Sequence, residues 1–349
     1  MRARKQVKNL IISILSDKER RSSGELFSEL SGMVSLATLK RIITEMCAEG
    51  WLEKSGTGKK NTVYFLSSKS EVLWPVETAD YFKKEIDERR IKREFDFAVV
   101  SGMFDQLELF SKEETEKLNY YRERFATRIK SMNDNEFRNE YERLAIDLSW
   151  KSSQIEGNTY SLLETELLLK EQRTAKGKTR AEATMLLNHK TALDFLLQHP
   201  DFVEPLKLSS IEDVHSLLVK DLDIDRNIRK RGVGITGTNY RPIDNHFQIR
   251  EALEKMCAVI NSRQSVVEKA LLTLVLISYI QPFNDGNKRT ARIVSNGILM
   301  HHRYCPLSFR TVDPEEYKLA MLVFYEQNNI SVFKKIFLEQ VEFANETYF

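Results

Sequence analysis

The order of apolar and polar positions follows a helical period along most of the chain, with two short exceptions. Near the start, Val7, Leu10, Ile11 and Leu15 recur at helical spacing. Ser23 reads as the cap of a second short helix carrying Leu26, Phe27 and Leu30. Ser35 reads as the cap of a third, with Leu36, Leu39, Ile42, Ile43 and Met46 on its buried side and Gly50 at its end. The first exception follows: residues 51–54 and 62–66 read as two strands around a Gly- and Lys-rich turn. Residues 69–95, with Pro75 and the run D-E-R-R-I-K-R-E, read as a linker leading into a helix, the charges forming a solvated face. From 133 to 155 a long amphipathic helix is expected, with Tyr141, Leu144, Leu148, Ser152 and Ile155 three and four apart and Gly157 and Asn158 as terminators. Residues 159–230 are helical by pattern, with Ser161 and Glu164, and Ser210 and Asp213, as helix starts. The second exception is 231–243, R-G-V-G-I-T-G-T-N-Y-R-P-I, whose alternation and glycines predict a short hairpin. A helix over about 246–261, the apolar run 270–280, a helix begun by Asp313 and Pro314, and an amphipathic stretch over 323–343 complete a mainly α chain.

Chemistry concentrates in residues 281–292, Q-P-F-N-D-G-N-K-R-T-A-R, which read as helix, sharp loop, helix. Gly286 permits a tight turn and close approach of backbone to a ligand. A helix opening there offers free N–H groups and the positive end of its dipole to phosphate. Arg289 and Arg292, three apart, flank the same anion, and Asp285 suits a magnesium ion that phosphates also ligate. The isolated His189, His199 and His215 read as structural or exposed.

This string resembles the Fic family signature H-x-F-x-[D/E]-G-N-G-R-x-x-R at Phe283, Asp285, Gly286, Asn287, Arg289 and Arg292, with Pro282 at the variable second position. It departs at Gln281, where the family has His, and at Lys288, where most members have the second Gly. Upstream, Ser152 and Glu156 resemble the family's inhibitory motif [S/T]-x-x-x-E-[G/N], which implies that Glu156 pairs with Arg292 and keeps it from a phosphate. Gly234, Ile235, Thr236 and Gly237 resemble the family's flap, a hairpin that holds a target segment by strand addition. Residues 1–68 resemble a winged helix-turn-helix, with Thr38, Lys40, Arg41 and Thr44 outward on the third helix and Lys59 and Lys60 on the wing. The fold expected is thus a Fic-type helical bundle with a β-hairpin flap over 96–349, including the inhibitory helix at about 133–158, preceded by the 69–95 linker and a small N-terminal winged-helix domain.

The resemblance implies ATP and Mg2+ as ligands and transfer of AMP to a Ser, Thr or Tyr hydroxyl of a protein target. Lys288, Arg289 and Arg292 with Gly286 and Asn287 would hold the phosphates, and Asp285 the metal. Asn296 and Tyr304 read as lying toward base or ribose, or as simply packing. Gln281 cannot replace the family's His as a base, because an amide has no basic lone pair near neutral pH. The string D-x-N-K-R also resembles the Doc branch, for which phosphate transfer is implied. Several readings stay open: an impaired, Glu156-inhibited adenylyltransferase; a nucleotide-sensing pseudo-enzyme that controls a DNA-binding module; a de-AMPylase; a Doc-like kinase.

Charge sharpens one of these. Residues 1–68 hold 12 basic and 7 acidic residues, a balance of +5, whereas the whole chain carries +2. Such asymmetry fits a nucleic-acid-facing module, and equally a protein-docking or dimerising one. Three distant cysteines, Cys47, Cys257 and Cys305, argue against a disulfide framework or zinc site and fit a reducing cytoplasm. No stretch reads as a signal peptide or membrane span.

Overall fold

A computed structural model describes residues 2–16, 19–30, 32–56 and 61–349. The chain divides into two compact units, Met1–Val76 and Glu77–Phe349.

The first unit contains α1 (Arg2–Leu15), β1 (Arg21–Ser22), α2 (Ser23–Glu29), α3 (Leu36–Ala48), β2 (Leu52–Ser55), β3 (Val63–Leu66) and α4 (Ser68–Leu73). The strands form one antiparallel sheet in the order β1-β3-β2, with Arg21 opposite Tyr64 and Lys54 opposite Tyr64 on the other side. Ile11, Leu15, Leu26, Leu39, Ile42, Ile43, Met46 and Leu52 form its core. Two expectations are corrected. Ser22, not Ser23, caps α2, because Glu25 completes a capping box with it. Leu36 is 38% exposed, because it occupies the first turn of α3, ahead of the stripe that begins at Leu39. Lys40, Arg41 and Thr44 are exposed as expected and Thr38 is half-buried, whereas Lys59 and Lys60 lie outside the described residues. The unit runs to Val76 because α4 packs on β3 and Ser67 donates to Gly50 O at 2.6 Å.

The second unit comprises α5 (Thr78–Tyr81), α6 (Phe97–Ser101), α7 (Lys112–Ser131), α8 (Asp134–Ile155), α9 (Leu162–Glu171), α10 (Arg180–Gln198), α11 (Leu208–Leu218), α12 (His246–Ser262), α13 (Val266–Ile280), α14 (Asn287–His301), α15 (Pro314–Gln327) and α16 (Ser331–Thr347). The α13–α14 pair is its centre. All residues of α13 from Val267 to Ile280 are buried. Its hydroxyls survive that burial because Thr273 and Ser278 donate to the carbonyls four residues back, at 2.8 and 2.9 Å. Around the pair stand α8, α10 and α11 against α14, and α12, α15 and α16 against α13. The apolar stretch near the C-terminus is two helices, because Asn328 at φ 57° breaks it. Ser210 is no cap: α11 starts at Leu208, and the Ser210 hydroxyl donates to Phe202 O at 2.8 Å.

The predicted flap hairpin is also corrected. Residues 231–243 form no strand; they run without regular structure to a turn at Thr236 and Gly237, where Gly237 takes φ 93°. The reason lies in the returning arm. Tyr240 stacks on Tyr279 and Tyr325 and donates to Tyr279 O at 3.0 Å. Arg241 gives its backbone N–H to Arg93 O at 2.7 Å and bridges Glu94 in parallel. With those groups committed, no ladder closes back onto 232–235.

Asn296 and Tyr304 are packed rather than aimed at a ligand. Asn296 is buried, donates to Leu307 O at 3.0 Å and accepts from Leu307 N at 2.7 Å. Tyr304 is buried beneath Arg122. Asn296→Ala is expected to lower the unfolding free energy by about 2–3 kcal/mol, since it strands two buried backbone groups. Urea unfolding checks this; a change near zero would reject the staple.

Candidate functional site

The site begins where α13 stops. Gln281 takes a left-handed conformation, φ 51° and ψ 58°, and turns the chain out of the helix. Its side chain is consumed in doing so: Nε2 donates to Ser278 O at 2.7 Å, and Oε1 accepts from Asn287 Nδ2 at 2.9 Å. Asn287 also accepts from Phe283 N at 2.8 Å and donates to Phe283 O at 2.9 Å. The Asn287 side chain therefore staples the loop from within, where the sequence reading has it on a phosphate. Gly286, at φ 82° and buried, turns the loop into α14. A Cβ there would touch the His215 ring and Val219 at 3.4 Å.

α14 opens directly behind Gly286, so its first N–H groups and three cations share one end. Arg292 is fully buried. Its Nε donates to Ser152 Oγ at 2.8 Å, and its Nη2 to Ser152 O at 3.0 Å and to Glu156 Oε1 at 2.9 Å. Its guanidinium also lies 5.1 Å from the Tyr317 ring centre. Lys288 Nζ sits 3.3 Å from the other Glu156 oxygen, so one carboxylate bridges two cations. Burial alone would raise the Glu156 carboxyl; the charges of Arg292 and Lys288 outweigh it and leave it below the usual carboxylate range. Arg289 is 1% exposed and reaches Asp285 Oδ2 at 3.1 Å, while its Nε and Nη1 have no partner among the described residues. Burial draws Arg289 down from its ordinary value, against the pull of Asp285 and Glu156. A buried guanidinium with open N–H groups at a helix N-terminus has the donors and the charge that an anion would pair with.

The Asp285 side chain is 61% exposed at the rim of this end. No cluster of three or more His, Cys, Asp or Glu among the described residues could hold a metal unaided. One carboxylate would fit magnesium if phosphates sat beside it, since that ion binds through one or two carboxylates, substrate phosphates and water.

Three further residues complete the site, two of them histidines that the sequence reads as structural or exposed. His215 stacks flat on Phe283, 3.6 Å between ring centres, and its Nε2 lies 2.9 Å from Asp285 O, so it props the loop from below. His189 is fully buried, with Nε2 2.7 Å from Ser152 Oγ. Arg229 donates Nε to Gln281 O at 2.6 Å, Nη1 to Arg231 O at 2.8 Å, and Nη2 to Ile243 O, tying the base of the flap to the loop. No local pattern marks these roles, since the partners Ser152, Asp285 and Gln281 lie 37, 70 and 52 positions away. The predicted residues Ser152, Glu156, Asp285, Gly286, Asn287, Lys288, Arg289 and Arg292 do come together at the loop. Gly234, Ile235, Thr236 and Gly237 lie in the irregular 231–243 segment, where a Cβ at Gly237 would come within 3.4 Å of Leu322.

The fold and this loop define the class. Residues 205–299 match the model of the Fic/DOC family, and the chain contains a Fic/DOC family domain. More particularly, it is 27% identical over 181 residues to protein adenylyltransferase Fic of Nematostella vectensis, covering 48% of this chain and 40% of that one. It is 26% identical over 176 residues to protein adenylyltransferase fic-1 of Caenorhabditis elegans, covering 48% and 34%. The chain thus spans about two-fifths or less of the length of these curated relatives. Among solved structures it is similar to a Fic-1 fragment from C. elegans, with TM-score 0.57, 20% identity and coverage of 68% and 71%. A Fic domain containing signaling protein from Bacteroides thetaiotaomicron gives TM-score 0.53, 18% identity and coverage of 67% and 96%. These likenesses establish the Fic fold.

Burial sets the imidazoles of His189 and His215 below their ordinary value, His189 by the greater amount, with Arg292 and Arg289 adding to the effect. Each therefore binds protons less readily in the folded chain than in the unfolded one, where an imidazole titrates near about pH 6.5. Folding stability is therefore full above that pH and falls as pH drops from about 6.5 toward 5, by up to about 1.4 kcal/mol per pH unit for each group. Urea midpoints measured across that range check the slope. A His189→Gln/His215→Gln variant is expected to lose most of it.

Proposed function

We propose that this protein binds ATP at the α14 N-terminus and is an adenylyltransferase-like enzyme, held shut by Glu156 and slow because Gln281 replaces the base. One observation carries the reading: Glu156 bridges Arg292 and Lys288 across a helix opening whose Arg289 still has open N–H groups. A carboxylate held by two cations occupies the place of a second anion. A triphosphate has the charge to replace it.

In the open state the phosphates meet the N–H groups behind Gly286 together with Lys288, Arg289 and Arg292. Asp285 would hold Mg2+, which would supply positive charge to offset that of the phosphates. A Ser, Thr or Tyr hydroxyl of a protein target, presented along residues 232–236, attacks the α-phosphorus. The bond to pyrophosphate breaks, and the hydroxyl proton leaves to solvent. Both hydrogen-bonding ends of Gln281 are engaged, and an amide takes no proton near neutral pH. Lacking a positioned base typically costs roughly 10²–10⁴ in rate. The adenylyltransferase names of the relatives support AMP as the group moved.

Mg-ATP titrations and ATP labelled at the α- or γ-phosphate test this. Glu156→Gly is expected to tighten ATP by about tenfold or more, the loss of about 1.4 kcal/mol of competing ion pairing. Gln281→His in that background is expected to raise incorporation of α-label into protein. Absence of ATP binding by Glu156→Gly would remove the assignment; transfer of γ-label alone would convert it to phosphoryl transfer.

A second reading concerns residues 1–68, where exposed Lys40, Arg41 and Thr44 line α3 within a region of balance +5. We propose that this face binds duplex DNA. A gel shift with random duplex should weaken steeply as salt rises. A salt-independent result, or none, would assign the face to protein docking or dimer formation.

A further inference from the structure

Residues 77–95 form a strap, and its central side chain is Arg89. The guanidinium is almost wholly buried and lies 5.1 Å from the Phe82 ring centre. Its Nη1 is 3.1 Å from Oε1 of Glu326, a carboxylate with no exposed surface near the end of α15. Its Nη2 donates at 2.8 Å to the carbonyl of Gly237, at the tip of the flap. The strap is fastened at both sides of this contact. Tyr81 Oη donates to Glu326 Oε2 at 2.5 Å, and Lys92 N donates to Glu326 O at 2.8 Å. Asn239 Nδ2 donates to Asp87 Oδ1 at 3.1 Å, and Arg241 N donates to Arg93 O at 2.7 Å. By contrast, the backbone N–H groups of residues 232–236 donate to nothing among the described residues.

A buried ion pair contributes little net stability over an apolar pair of the same shape, so the Arg89–Glu326 pair calls for another reason. The planar guanidinium supplies one. It presents two nitrogens in a fixed fork, so a single side chain can address a carboxylate and a carbonyl together. We propose that Arg89 is the positioning residue of the flap. It ties the Gly237 turn to Glu326, and so holds residues 232–236 at a set place along α15. The inference rests on the proposed function only for what the flap presents.

Lysine separates this role from a merely structural one. Its single ammonium can keep Glu326 paired but cannot hold the fork geometry to Gly237 as well. Hydrogen exchange of Arg89→Lys, with Asn239→Ala as a milder companion, is the test. We expect the amides of Tyr240 and Arg241 to exchange about tenfold faster in Arg89→Lys, with α13 and α15 unchanged. Asn239→Ala should shift the same two amides less. In the Glu156→Gly background, Arg89→Lys should leave the ATP dissociation constant unchanged while incorporation of α-label falls. Unchanged exchange at Tyr240 and Arg241 overturns the proposal, as does equal loosening of α15, which would mark a general loss of stability. Failure of Glu156→Gly to bind ATP would count against the ATP reading alone, since the exchange result decides the role of Arg89.

Discussion

A guanidinium with no exposed surface must be answered by hydrogen bonds and by charge, because leaving it alone in the interior costs several kcal/mol. Arg292 is answered almost entirely by one helix end: the hydroxyl and carbonyl of Ser152, and the carboxylate of Glu156. That requirement fixes where α8 stops relative to where α14 starts. On the function proposed above, the site is then an exchange rather than an empty cradle: an anion entering at Gly286 would compete with Glu156 for Arg292 and Lys288. A di- or triphosphate offers several charges for that exchange, and a carboxylate or single phosphate offers fewer.

One helix carries this state to the rest of the site. α15 places Tyr317 beneath Arg292, Leu322 against the flap turn, Tyr325 beside Gln281 and Tyr240, and Glu326 on Arg89. The side chains lie along a single rigid element, so anion end, loop and flap share one reference surface. The aromatic residues suit this because they fill space and still offer a polar tip: Tyr240 reaches Tyr279 O, and Tyr279 accepts from Asp96 N. A cluster of this kind lacks the compliance of a leucine core, which is what a site demanding fixed distances needs.

The helices and the anion loop were legible because their causes are local. Capping at Ser35, Ser161 and Asp313, and the turn at Gly286, are written in neighbouring residues. The pairing of Glu156 with Arg292 became readable only through resemblance, since 136 residues separate them. What stayed hidden depends on contacts between distant segments. His189 and His215 look isolated in the chain because their partners are Ser152 and Asp285. The charged run through Arg89 looks like a solvated face, and no periodicity discloses that one of its arginines is buried on Glu326. The flap misled for the same reason in reverse: its alternation is real, but Tyr240 and Arg241 are claimed by α13 and the strap.

The two departures from the signature act in the same direction. Gln281 keeps what the loop needs mechanically, a donor for Ser278 O and an acceptor for Asn287, while giving up the proton-accepting nitrogen. Lys288 stands where the signature has a flexible glycine and puts a second cation on Glu156, so that carboxylate is held at both oxygens rather than one. On the function proposed above, the first change would slow the chemical step while Ser278 and Asn287 keep the loop in place, and the second would strengthen the hold on Glu156 while leaving Arg289 and Arg292 at the helix opening. Binding and turnover would then be set by different residues.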